Sequence, residues 1–183
     1  MRILLASHHT SRIAGAETYT DTVIAALTAR RHDVALLTEQ AAVEGREPIR
    51  GAQKQWCTAE TGELAALEGA RGWEPQVVYV QGLASVRLER ALTRLPVAVL
   101  FEHSYAGLCI SGSRTWQADG TACPRALGPG CLALYFPRRC GGRSPITMTR
   151  EYRAQRARQH LRSKYGAIVV ASRHMAKVLA ADG

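Results

Sequence analysis

Aromatic residues are scarce in this chain of 183 residues, at 6% with only two phenylalanines. No apolar run approaches the roughly 20 residues that a membrane-spanning helix needs. The opening Met1-Arg-Ile-Leu-Leu-Ala-Ser7 is too short for the core of a secretion signal and meets His8-His9 at once. A cytoplasmic location is therefore expected. Several motifs are missing too. There is no G-x-G-x-x-G, which disfavours a nicotinamide or flavin dinucleotide, and no G-x-x-x-x-G-K-[ST], which removes a Walker-type nucleotide site. Without G-x-S-x-G or a paired carboxylate motif, a hydrolase lacks its nucleophile. Acidic residues are scarce in one half alone. Residues 1–102 hold eleven Lys/Arg against twelve Asp/Glu, whereas residues 103–183 hold thirteen against three.

What is present fits one globular domain. Apolar residues reach 46%, against disorder or a fibrous class, and the length suffices to bury a core. Short apolar runs alternate with helical patterns. Arg2–Ala6, Asp33–Thr38, Gln76–Val80, Val97–Phe101 and Ala167–Ala171 read as strands, with a further short one over Gln53–Cys57. Helical spacing marks Ala16–Arg30, Ala59–Ala70, Ser85–Arg94 and Met148–Ser163, and Ser172 is placed to cap a closing helix. Strict alternation predicts an α/β fold with a doubly wound, mostly parallel, Rossmann-like sheet and right-handed crossovers.

In such sheets ligands bind beyond the carboxyl ends of the strands. Four of the six histidines are expected there: His8 and His9 after the first strand, His103 after the strand ending at Phe101, and His174 after Ala171. His32 and His160 lie elsewhere. Gly15 sits just before a helix, where the backbone can come close to a ligand and free N–H groups can face an anion. The excess of basic residues culminates in Arg150, Arg153, Arg156, Arg158, Arg162 and Lys164, which crowd one helix. They make either a solvated face or an attraction for phosphates or an acidic membrane surface. Nucleic acid is not indicated, because basic residues do not interleave with aromatics and no helix-turn-helix pattern occurs.

Residues 103–147 form a long insertion with four of the five cysteines, Cys109, Cys123, Cys131 and Cys140. Loops of that length are uncommon in compact domains and usually functional. The intervening stretches of thirteen, seven and eight residues contain none of the close pairs usual in zinc sites. Glycines and prolines leave the loop little local propensity to fold. Individually buried thiols, a shared metal and bridges all remain open for it. Cys57 lies outside this cluster and reads as a core thiol.

The order of strand, loop, A-G-A-E and helix over residues 1–31, with F-E-H at 101–103 and V-V-A-S-R-H-M at 169–175, resembles the N-terminal domain of family-4 glycosyltransferases. C-I-S-G at 109–112 and Y-F-P-R-R-C-G-G-R-S-P-I-T-M at 135–148 are similar to a cysteine-containing bacterial branch of that family. The resemblance covers essentially the whole chain. It implies one half of a GT-B fold, from a retaining enzyme in which this domain binds a small-molecule, glycan or lipid-linked acceptor. The nucleotide-sugar donor would be held mainly by a second, C-terminal domain, with reaction in the cleft between them and no cofactor or metal required. His103 matches the family's cleft histidine near the transferring sugar. Gly15, followed by Ala16 and Glu17, matches its glycine-rich turn near the phosphates, although Ala14 stands where members often have a first glycine. Ser172 and Arg173 match a small polar pair facing the cleft. A peripheral membrane contact through the basic half is a further implication. The chain ends where the family's interdomain link would begin, so by itself it is expected to bind weakly and catalyse little. The competing expectation is a stand-alone module that recognises an anionic ligand or polymer.

Overall fold

The computed structural model describes residues 1–182. Six parallel strands form one sheet in the order β3-β2-β1-β4-β5-β6. They are β1 (Arg2–His9), β2 (Asp33–Gln40), β3 (Lys54–Cys57), β4 (Val77–Gln81), β5 (Ala98–Glu102) and β6 (Ala167–Val170). The expected doubly wound, Rossmann-like α/β architecture is the one observed. Its strand order reverses between β1 and β4, which pair directly from Ile3 with Val77 to Ala6 with Val80.

Alternation along the strands builds the core, because successive side chains point to opposite faces. Ile3, Leu5, Val34 and Leu36 pack with Ile24 of helix α1 (Gly15–Ala29) and with Ile49. Leu4, Ala35 and Leu37 point the other way and are equally buried. β1 runs past its apolar core, so His8 and His9 belong to the strand rather than to the loop after it. The single helix expected over Ala59–Ala70 is two, α2 (Thr58–Thr61) and α3 (Glu63–Gly72). Gly62 separates them at φ +83°, outside the helical region. α4 (Val86–Leu92) starts at Ser85, whose Oγ accepts from Leu88 N–H at 3.1 Å.

Two compact units divide the chain. One comprises Met1–Phe101 with Lys164–Val169, the other Glu102–Ser163 with the chain from Val170 onward. Within the second unit the long insertion is not structureless. It contains α5 (Gly130–Leu134) and a bridge between Thr115 and Ala122, and leads into α6 (Pro145–Leu161), capped by Ser144. A small core of its own joins Ile110, Leu127, Tyr135 and Cys140. A 3-10 turn (Arg162–Lys164) follows α6, and α7 (Arg173–Asp182) closes the described chain.

Candidate functional site

Parallel pairing of Ser7 with Thr38 and of His9 with Gln40 sets His8 opposite Glu39, near the carboxyl ends of β1 and β2. Their side chains meet there, His8 Nδ1 lying 2.6 Å from Glu39 Oε2. Glu39 is buried, and water is replaced by backbone: Ala84 N–H donates to Oε2 and Ser85 N–H to Oε1, each at 2.6 Å. A carboxylate so bound is positioned tightly, since hydrogen bonds to an ionised acceptor are the strong ones. The imidazole, 30% exposed, is thereby oriented with its Nε2 as the remaining polar atom. Histidine held at Nδ1 by a carboxylate is an arrangement suited to proton transfer or to hydrogen bonding a ligand. His9 stands edge-on to His8, with ring centres 4.2 Å apart.

The neighbouring turn opens α1. Ala14 is the N-cap, and Glu17 is buried with its carboxylate accepting from Ala14 N–H at 3.0 Å. Glu17 therefore secures the helix start and complements the positive end of the dipole. The N–H groups of Gly15, Ala16 and Glu17 lack intrahelical acceptors, as at every helix start. Gly15 is exposed, has no left-handed φ, and a Cβ there would meet nothing within 4 Å. Neither packing nor strain explains the glycine, so the room above it is available to an incoming group. Behind this turn the Tyr19 ring stacks on Phe101 at 4.5 Å, and its hydroxyl lies 3.1 Å from that of Tyr79. Burial, followed by the bond to Tyr19, pushes the Tyr79 hydroxyl far up, and it stays neutral. Thr20 donates to Gln81 Oε1 at 3.2 Å, which ties α1 to the end of β4.

The second unit holds the remaining expected residues. His103 is exposed directly after β5. The residue before it, Glu102, is buried against Arg162, whose Nη2 donates to Glu102 Oε2 at 2.9 Å and to the Ala106 carbonyl at 2.7 Å. Gly107 N–H donates to Gln155 Oε1 at 2.6 Å. α6 thus fixes the segment that leaves β5. Arg162 accordingly departs from the expected cationic face: its side chain is only 10% exposed and serves this pair. Arg150 and Arg153 are exposed, and Arg150 reaches Glu151 at 3.2 Å. Ser172 Oγ accepts from Met175 N–H at 3.1 Å and caps α7, with Arg173 exposed beside it. The next residue, His174, lines a cavity of about 300 Å³ together with Tyr105, Ser113, Arg114 and Thr115. Arg114 lies over the Tyr105 ring at 5.9 Å.

Gly15, Ala16 and Glu17 share one helical turn, Ser172 and Arg173 another, and His103 stands at a third strand's exit. Sequence reasoning missed Glu39 and placed Arg162 on a cationic face rather than in a buried pair. An isolated glutamate in a strand and one arginine among many gave no local signal, because their partners lie 31 and 60 residues away. No protein-family model matches the chain, and no curated protein is significantly similar to it.

Proposed function

We propose that this chain is the N-terminal half of a nucleotide-sugar-dependent retaining glycosyltransferase, working in the cytoplasm with the acceptor bound on this half. One observation carries the reading. The helix after β1 opens with an unobstructed glycine where the sheet's strand order reverses, the place such folds use for ligands. A departing nucleoside diphosphate gains negative charge, and preorganised N–H groups are the means by which a protein stabilises it. Gly15, Ala16 and Glu17 supply such groups at the positive end of α1. In this scheme His103 contacts the transferring sugar, and Ser172 and Arg173 border the cleft. The His8–Glu39 pair orients an acceptor hydroxyl. The reaction calls for no metal cofactor, and the donor is held mainly by a further domain.

Assay of the natural full-length gene product against a panel of nucleotide sugars tests this. Transfer with retained anomeric configuration is expected, and His103→Ala should lower kcat by about 10² or more. Unchanged turnover in that variant removes His103 from the site, and absence of any transfer removes the proposal. The second reading, a binding module for an anionic ligand, is favoured by the cavity that gathers Arg114, Tyr105 and His174. Under it, Arg114→Ala abolishes binding of a polyanion such as heparin and the chain needs no partner domain.

A further inference from the structure

Cys109, Cys123, Cys131 and Cys140 all line one cavity, although 30 residues separate the first from the last. It measures about 20 Å³, room for a single atom-sized occupant. Ile110, Trp116 and Leu134 supply much of the remaining wall. Every one of these thiols is free; Cys131 and Cys140 reach carbonyl oxygens only at 3.9 Å, and Cys109 Sγ lies 3.3 Å from Ser111 Oγ. The surrounding segment has a small apolar core and is tied to α6 near its start. Its regular structure is one helix of five residues and an isolated bridge, and two of the cysteines belong to its small apolar cluster. Folding units with so small a core usually depend on a cross-link or a metal.

We propose that these four cysteines form a structural tetrathiolate site for one thiophilic divalent cation, zinc in the first instance. The proposal is independent of sugar transfer. Four ligands about one centre match the tetrahedral preference of zinc, whereas two disulfides would need two separate pairs. Binding balances as one Zn²⁺ and four thiols giving a tetrathiolate complex of charge −2 and four released protons. Arg125 lines the same cavity and offsets that charge. Arg138 is also close enough to favour the Cys140 thiolate, opposing the burial and the three other thiols that push the Cys140 thiol up. As the side chains stand, no group of three or more His, Cys, Asp or Glu among the described residues is arranged to hold an ion. Binding has to draw the sulfurs to roughly 2.3 Å from a common centre.

The test uses the 183-residue chain purified under reducing conditions without chelator. Elemental analysis is expected to find about one zinc per chain, bound through four thiolates. Exchange into cobalt should produce the intense sulfur-to-metal and d–d bands of a tetrahedral thiolate complex. Iron with the same stoichiometry supports the site and corrects the metal. Cys131→Ser should lose the ion, while Cys57→Ser, outside the cluster, should keep it. Should Cys131→Ser fail to fold, the cobalt spectrum of the unaltered chain still decides. Four freely titrating thiols in metal-reconstituted protein, or a mass four hydrogens lighter from two disulfides, overturns the proposal.

Discussion

Glu39 is where local chemistry carries most. Its carboxylate takes two backbone N–H bonds and a histidine in a buried position, so an acceptor-only group is required at both oxygens. Glu39→Gln replaces one acceptor by a donor facing N–H groups. The expected cost is about 1–3 kcal/mol in denaturant unfolding; unaltered stability would show that the carboxylate is not held as described. Arg162 is the counterpart in the second unit. Arg162→Met leaves the Glu102 charge buried without its cation and should destabilise by about 3 kcal/mol or more, whereas adding Glu102→Leu should recover much of the loss. If single and double variants are equally unstable, the ion pair is not the reason. Of these residues only His8 was legible beforehand. A histidine after an apolar run is visible locally, but its partner is set by strand register, which no local pattern encodes.

Elements were more legible than residues, because burial on two faces produces apolar runs whichever neighbours provide the burial. Five strands stand over the apolar runs that predicted them, and β3 stands within the short stretch Gln53–Cys57. The departures have particular causes. β1 gains His8 and His9 because Glu39 and the β2 backbone continue the pairing beyond the apolar residues. The helix over 59–70 splits because Gly62 takes a positive φ, which periodicity does not sense. At Gly107 a glycine is demanded twice. Its φ is +75°, and a Cβ would lie 3.1 Å from the Gln159 backbone nitrogen and 3.3 Å from the Arg158 carbonyl carbon of α6. Gly107→Ala should therefore cost more than about 1 kcal/mol and lower Tm. A neutral result would mean that the segment after β5 is not packed on α6 as described. The insertion itself was illegible, since its order comes from a small apolar cluster and a few aromatic contacts scattered along 45 residues. One such contact is Arg138 over Trp116 at 4.3 Å.

At the scale of the whole molecule, six strands in the order β3-β2-β1-β4-β5-β6 set where each connecting segment begins. Along the chain Gly15 follows β1, His103 follows β5 and Ser172 follows β6. No described helix is long and apolar enough to cross a membrane. The excess positive charge of residues 103–183 is less of a uniform face than composition implied, since Arg162 is internal and Arg138 pairs with Asp119 at 3.4 Å. The proposed function rests on whether the first turn of α1 receives phosphate. The direct measurement is amide NMR of the 183-residue chain titrated with millimolar UDP and GDP. Shifts centred on Gly15, Ala16 and Glu17, diminished by Gly15→Val at unchanged stability, are the predicted result. Shifts confined to the arginines of α6, or none at either nucleotide, would contradict it.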